Sequence, residues 1–416
     1  METHLADWIR HTPEGSEAEA ILRTCVHCGF CTATCPTYQL LGDELDGPRG
    51  RIYQIKQVLE GAPATRSAQL HLDRCLTCMG CETVCPSGVR YGRLLEIGRR
   101  AIDERVVRPW PERLQRALLR SVLTRRPLFA ALLGVARTLA PVLPERLRRR
   151  LPVAPAAGAA PARSHARKVL LLASCTQGAL LPSIDRATAR VLDALGVEVV
   201  VEPSSGCCGA LNEHLGDPTG AEAAARRNVD AWWPALERGC EAIVMTATGC
   251  GVRVKDYGQL LMHDPAYAER AAVVAAKTMD LVEWLGPALE RCPPFDTAPM
   301  PLRVAFHPPC TLQHGQKIER RVEAILVALG AELTPVRDSH LCCGSAGPYS
   351  LLQPKLSGEL RSAKLAGLEA GAPEMILSAN VGCITHLAGA AVVPVRHWIE
   401  WVDGRLHGVT AGWPGR

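Results

Sequence analysis

Eight cysteines stand in two runs that could hold a soft metal: Cys25, Cys28, Cys31 and Cys35 precede Pro36, and Cys75, Cys78, Cys81 and Cys85 precede Pro86. Each run reads C-x2-C-x2-C-x3-C-P. Three thiolates two residues apart can wrap a tight loop around one iron-sulfur cube while peptide N–H groups point at its sulfurs, and the fourth iron is then reached from elsewhere. In runs of this spacing the fourth cysteine serves the cluster of the other run. The expected donor sets are therefore Cys25, Cys28, Cys31 and Cys85 for one [4Fe-4S] cluster, and Cys75, Cys78, Cys81 and Cys35 for a second. Paired C-x-x-C elements also make structural zinc sites, and eight cysteines could form four disulfides. Zinc needs four ligands per site and gives no reason for the x2-C and x3-C-P steps to occur twice. Pro36 and Pro86 turn the chain away after the fourth ligand, since the residue before a proline is pushed toward extended backbone. His27, inside the first run, is expected to be a loop residue.

Helices are needed to hold two such loops together. Residues 51–60 (RIYQIKQVLE) place apolar side chains at helical spacing between the runs. The tract 111–151 alternates Leu, Val and Ala with Arg, and Pro127, Pro141 and Pro144 break it into short helices. Seventeen of the Arg and Lys residues but only four Asp and Glu lie between Arg99 and Lys168, so the net charge of +5 is concentrated there. This stretch reads either as a basic amphipathic surface for membrane headgroups or an acidic partner, or as helices that pack on the protein's own domains with their arginines in solvent. Residues 152–163 (PVAPAAGAAPAR) read as a linker.

The other half of the chain is a repeat. KVLLLASC (168–175) matches RVAFHPPC (303–310), GVEVVVEPSSGCCG (196–209) matches GAELTPVRDSHLCCG (330–344), and EAIVMTATGCG (241–251) matches PEMILSANVGC (373–383). The aligned cysteines Cys175 and Cys310, Cys207 and Cys342, and Cys250 and Cys383 are offset by 135, 135 and 133 residues. Each unit reads as strand, helix, strand, Cys-Cys-Gly loop, helix, strand. Short apolar strands alternating with helices imply parallel βαβ units, whose functional loops gather at the carboxyl ends of the strands. Cys175, Cys207, Cys208 and Cys250 should then converge in one unit, and Cys310, Cys342, Cys343 and Cys383 in the other.

Length and absences bound the function. A chain of 416 residues is long enough for two to three domains. Eighteen cysteines behind a polar first stretch point to a reducing, cytoplasmic setting, and no run of about 18 apolar residues is present. There is no G-x-G-x-x-G after a strand, no P-loop and no hydrolase triad pattern. No flavin or NAD site is therefore expected in this chain, no catalytic residue is assigned, and hydride chemistry is expected on another polypeptide. No nucleic-acid partner is expected. Arg49 follows the first run and is a candidate to raise that cluster's potential. His307, His314, His340 and His386 lie near the Cys-Cys-Gly loops and read as loop histidines that could tune a thiol. Cys240 and Cys292 read as packing residues, and Trp232, Trp233, Trp398 and Trp401 as core or interface.

The paired runs, the stretch DGPRGRIYQIK (46–56), the two CCG loops and the closing VRHWIEWV (395–402) together resemble the iron-sulfur subunits of the glycolate oxidase family. Related chains serve lactate, anaerobic glycerol-3-phosphate and heterodisulfide-reductase complexes. The resemblance implies an α+β multi-domain fold: a mainly helical two-cluster ferredoxin-like domain over 1–105, a basic connector and linker over 106–165, and two α/β CCG domains with parallel sheets over 166–295 and 296–416. It implies an electron-transfer subunit that passes electrons from a partner flavin subunit oxidising glycolate to glyoxylate toward a quinone or other acceptor, at the inner face of the cell membrane. The alternatives it implies are a lactate or glycerol-3-phosphate dehydrogenase subunit, or a thiol/disulfide catalytic subunit. The family's C-x-x-C is incomplete here: Ala247 and Asn380 stand where its first cysteine is expected. Four thiols per unit leave an ordinary cluster, a redox-active thiol pair or a structural remnant as the possibilities.

Overall fold

The computed structural model describes residues 1–142, 144, 155–289 and 303–407. The N-terminal part is helical. Helices Pro13–Thr24, Pro48–Leu59, Arg66–Asp73 and Tyr91–Asp103 enclose a core of Ile21, Leu22, Ile52, Ile55, Leu59, Leu72, Leu94 and Leu95. Their starts follow local chemistry. Thr12 accepts the Gly15 N–H and Thr65 accepts the Ala68 N–H, and Pro13 and Pro48 sit at the first helical positions, where a missing N–H costs nothing. Gly98 allows helix Tyr91–Asp103 to cross helix Pro48–Leu59, because a Cβ there would lie 2.5 Å from Ile55 Cγ1.

The connector forms helices Trp110–Leu123 and Arg126–Thr138, with Pro127 in the first turn of the second and Pro141 in a short 3-10 turn, Ala140–Val142. Much of it packs back on the protein. Arg108 and Arg116 reach Asp73, Arg116 donates to the His214 carbonyl at 3.4 Å, and Arg137 donates to the Ala179 carbonyl at 3.2 Å. An apolar strip remains outside, including Leu114, Leu118, Leu132 and Val135. The rest of the tract to Leu151, the start of the linker, Cys292 and the expected boundary at 295/296 lie outside the described residues.

The repeat folds as two parallel sheets of the same order. Strands β1 (Arg167–Leu171), β2 (Val197–Val200), β3 (Ile243–Met245) and β4 (Thr278–Asp280) align as β2-β1-β3-β4. Strands β5 (Arg303–His307), β6 (Glu332–Leu333), β7 (Met375–Ser378) and β8 (Val395–His397) align as β6-β5-β7-β8. In each unit the central strands pair in parallel, Leu170 opposite Ile243 and Val304 opposite Met375. The helices Pro182–Ala194 and Arg321–Ala328 follow the first strands as expected, and the chain reverses at Gly196 and Gly330 with φ of +75° and +91°.

The fourth strand of each unit is new relative to the sequence reading. TMD and VRH are three residues long and partly polar, which gives no strand pattern to recognise. The two sheets share one core, in which Trp398 and Trp401 of helix Trp398–His407 pack with Ile184 and Val191 of helix Pro182–Ala194. Arg190 pairs with Asp403 at 3.0 Å across that contact and also holds the linker through the carbonyls of Ala157 and Ala159. Trp232 is core of the first unit, whereas Trp233 is half-buried and donates to Glu237.

Candidate metal centres

The two cysteine loops share a backbone design. His27 and Gly29 in the first, and Thr77 and Met79 in the second, have positive φ at equivalent positions. Left-handed turns of this kind bring successive N–H groups to one side, the geometry that cradles anions. Thr77 N lies 3.5 Å from Cys75 Sγ, and Val89 N lies 3.4 Å from Cys85 Sγ. Each run ends at its proline as expected, with Pro36 opening helix Pro36–Leu41.

The thiols converge crosswise. Cys25, Cys28, Cys31 and Cys85 line one hollow, Cys35, Cys75 and Cys78 line another, and Cys81 lies between and lines both. Burial pushes Cys31 up to about 11, with the Cys25, Cys85 and Cys28 thiols adding to it. Burial likewise pushes Cys81 well up, with Cys78, Cys75 and Cys35 adding. Four mutually repelling thiolates in a buried hollow are the donor set that a cationic iron-sulfur core neutralises. The residues thus fit two [4Fe-4S] clusters.

A buried charge stands against the second hollow. Arg51 is 1% exposed and donates to the His71 carbonyl at 2.8 Å and Thr37 Oγ1 at 3.2 Å, and its guanidinium faces Asp46 at 3.3 Å. Asp46 also meets Arg74 at 2.9 Å. Burial alone would raise the Cys75 thiol, but Arg51 and Arg99 outweigh it and hold Cys75 below the usual thiol range. The Tyr91 hydroxyl donates to Cys75 Sγ at 3.5 Å. Asp46 and Arg51 stand in the stretch that carries the family resemblance, but nothing in their spacing gives either a role. Arg49, the candidate read from the sequence, does lie against the first loop: a Cβ on Gly29 would be 2.6 Å from its Nη1. Arg49 is however paired with Glu44 at 2.6 Å, which offsets its charge.

The eight repeat cysteines gather as two groups of four. In the first unit Cys175 and Cys208 flank Cys207 and hold its thiol well below the usual range, and Cys250 lies beside Cys208. In the second unit Cys310 Sγ lies 3.9 Å from Cys342 Sγ, and Cys343 is beside Cys383. Gly209 and Gly344 adopt φ of +92° and +88°, and their N–H groups reach Cys207 Sγ and Cys342 Sγ at 3.4 and 3.5 Å. Cys250 and Cys383 occupy the first turns of helices Thr248–Lys255 and Val381–Ala388, just beyond the strand ends where they were expected.

Second cluster loop and second unit touch. Leu76 packs with Cys342, Tyr349, Leu356 and Leu360, with Cys78 and Cys310 at the edge of that core. His314 bridges them, its Nε2–H donating to the His340 carbonyl at 2.8 Å while Nδ1 meets Thr83 Oγ1 at 3.0 Å. Thiols of both units, among them Cys175, Cys250, Cys310 and Cys383, face a common cavity of about 900 Å³ beside the second cluster loop. Of the other histidines, two are not the loop residues expected: His386 lies in helix Val381–Ala388 and bonds the Ser357 carbonyl, and His307 ends β5 and is buried. Cys240 packs in the first unit's core as expected.

Residues 21–89 match the 4Fe-4S dicluster domain family, and residues 169–255 and 304–388 match the cysteine-rich domain family. The chain is 54% identical, over 98% of its length and 99% of the relative's, to the glycolate oxidase iron-sulfur subunit of Escherichia coli (strain K12). It is 31% identical over 89% of both chains to the probable glycolate oxidase iron-sulfur subunit of Bacillus subtilis (strain 168). It is 27% identical to lactate utilization protein A of Exiguobacterium sp. over 53% of this chain and 89% of that one. A full-length match at this identity, on a chain whose thiols form two crosswise sets, settles its kinship: the protein belongs to the family of glycolate oxidase iron-sulfur subunits.

Proposed function

We propose that this chain is the electron relay of a flavin-dependent glycolate-oxidising complex. A partner subunit converts glycolate to glyoxylate on its flavin, and this chain carries the electrons to a quinone or another acceptor. The observation that carries the reading is the unbroken row of thiols: the first hollow shares Cys81 with the second, and the second abuts Cys310 and Cys342 of the second repeat unit. When bound, the two [4Fe-4S] clusters supply one-electron chemistry, at potentials set by charge, hydrogen bonds to sulfur and exposure. The chain's own residues do the rest. Val26 and Phe30 are exposed beside Cys28 on the first loop, and we assign that face to electron entry. Arg51, Arg99 and Tyr91 place positive charge and a hydroxyl donor at the second hollow, and Leu76 and Tyr349 keep water from its far side.

The ligands we assign are Cys25, Cys28, Cys31 and Cys85 for one cluster and Cys75, Cys78, Cys81 and Cys35 for the other. Cys85→Ser and Cys28→Ser are expected to disturb the same electron paramagnetic resonance signal, and Cys35→Ser and Cys78→Ser the other. Pairing of Cys85 with Cys78 instead would overturn the crosswise assignment. We also propose the division into 1–105, 106–165, 166–295 and 296–416, which places each sheet in its own unit. Glycolate is favoured over lactate because the glycolate oxidase relatives match across the whole chain and the lactate utilization relative across half of it. Co-purified flavin subunits should reduce this chain with glycolate faster than with D-lactate or glycerol 3-phosphate. Preference for either of the latter would reassign the substrate.

No helix among the described residues is long and apolar enough to cross a membrane. We propose peripheral attachment at the inner face of the cell membrane through the connector's exposed strip of Leu114, Leu118, Leu132 and Val135, beside basic residues such as Arg113 and Arg125. Vesicles of anionic lipid should sediment the protein, and a Leu118→Glu, Val135→Glu variant should stay in the supernatant. Equal sedimentation of the two would contradict this attachment.

A further inference from the structure

The two repeat units differ at one buried position that faces their thiols. Aligned through Cys175 and Cys310, the position occupied by Leu172 in the first unit is His307 in the second. Leu172 is an ordinary core residue. His307, the last residue of β5, is 1% exposed, and neither of its ring nitrogens has a hydrogen-bond partner. Leaving a buried polar group unsatisfied costs about 1–3 kcal/mol, so a fold that keeps an imidazole here needs something for it to bind.

What lies in reach is thiol. A ring nitrogen of His307, Cys343 Sγ and Cys383 Sγ are all within 4.8 Å of one another. A tetrahedral ion with bonds of about 2.3 Å to sulfur and about 2.0–2.1 Å to nitrogen holds its donors roughly 3.5–3.8 Å apart, so one metal atom can be reached by all three with small adjustments. Cys342 adjoins Cys343, and Cys310 is 3.9 Å from Cys342, which supplies further thiols on the same side. The surroundings suit a thiolate site. Asn380 Nδ2 donates to Cys383 Sγ at 3.5 Å, and the buried Lys364 ammonium, held by the carbonyls of Asp338 and Ser339, faces Cys343, Cys342 and Cys310. In the first unit Ala247 stands in place of Asn380 and Leu172 in place of His307, so neither the amide nor the imidazole is present there.

We propose that the second repeat unit, unlike the first, holds a metal centre to which His307 contributes an imidazole nitrogen beside the thiolates of Cys343 and Cys383. The chemistry required is a metal atom that takes mixed nitrogen and sulfur donors, met by an iron of an iron-sulfur centre or by a single zinc ion. In the iron case a neutral nitrogen replacing an anionic thiolate raises the potential, as in Rieske centres, and the site lies where the row of thiols ends. The proposal goes beyond the relay reading, which needs only the two N-terminal clusters, so either can fail alone.

The test uses full-length protein purified without oxygen, as wild type and as His307→Leu, which restores the first unit's residue. Iron and zinc per chain are measured, with electron-nuclear double resonance on the reduced protein and zinc-edge absorption spectroscopy. The wild type is expected to contain metal beyond the content of its two N-terminal clusters and to show a nitrogen ligand to it: for iron, a double-resonance signature that changes when histidine is labelled with 15N, and for zinc, imidazole scattering in the absorption spectrum. His307→Leu is expected to lose that signature and more than half of the extra metal, with the N-terminal cluster signals intact. Loss of extra iron identifies an iron-sulfur centre, and loss of zinc a zinc site. Absence of extra metal in the wild type, or of any nitrogen ligand to it by either spectroscopy, overturns the proposal; these wild-type measurements decide this even should the variant fail to fold.

Discussion

Arg51 is a full positive charge with almost no contact with water, and only its partners make that tolerable. Asp46, Thr37 and the His71 carbonyl surround it, while Cys35 and Cys75 stand at its open side. Removing one partner of a buried ion pair typically costs about 3–5 kcal/mol because the other is stranded. Arg74 still reaches Asp46, so Arg51→Gln should fall at the low end, roughly 3 kcal/mol, read from chemical unfolding. The same variant should lower the reduction potential of the cluster bound to Cys75 while leaving the other unchanged, and Arg51→Lys should restore part of the shift. An unchanged potential in a redox titration would remove Arg51 from the electrostatics of that cluster. The cysteine runs were legible because a ligand spacing is written along the chain. Arg51 and His307 were not, since burial of a charge or an imidazole depends on residues such as Asp46 and Cys343 that only folding brings near.

Glycines decide how closely the repeat elements approach. Gly344 has a left-handed backbone and no room: a Cβ would lie 2.8 Å from the Ser357 carbonyl oxygen. Gly196 has a left-handed backbone at the end of a helix with nothing within 4 Å. Gly196→Ala should therefore cost only the backbone term of about 1–2 kcal/mol, whereas Gly344→Ala should cost that and more, because helix Pro354–Glu369 must shift and carry Lys364 away from the thiols. Thermal unfolding of the two variants side by side measures the difference, and equal losses would contradict the close-approach account. At this scale β1, β3, β5 and β7 could be read from apolar runs, and the helices from amphipathic spacing closed by glycine. The strands β4 and β8 could not, because Asp280, Arg396 and His397 interrupt any apolar pattern and pairing with the neighbouring strand alone makes them strands. The connector's packing on its own domains shows in the ion pairs of Arg108 and Arg116 with Asp73, partners that no spacing along the chain announces.

The parts are joined through polar groups buried where they meet. Arg253 of the first unit faces Glu96 of the N-terminal helix Tyr91–Asp103 at 3.7 Å. The His397 ring meets the Thr246 carbonyl at 3.0 Å across the two sheets. Asp280, at the end of β4, accepts from Gln316 of the second unit at 3.0 Å, and burial pushes it up to about 7 from an ordinary value near 3.8. A carboxyl whose folded value is raised binds its proton more tightly when folded. Its stabilising contribution is complete below about pH 3.8 and is lost as pH rises through about 7. Asp280→Asn should flatten the stability profile between these limits, since Gln316 Oε1, buried without a partner, can accept from the new amide once Gln316 reorients. A profile as steep as that of the wild type would place the titration elsewhere. These junctions keep the row of thiols continuous from Cys25 to Cys383, and continuity is what a relay requires. The most direct test is freeze-quench electron paramagnetic resonance of the assembled complex mixed with glycolate. The relay predicts that both N-terminal cluster signals appear after flavin reduction and decay as acceptor is reduced. Clusters that stay oxidised while glycolate is consumed and acceptor turns over would contradict it.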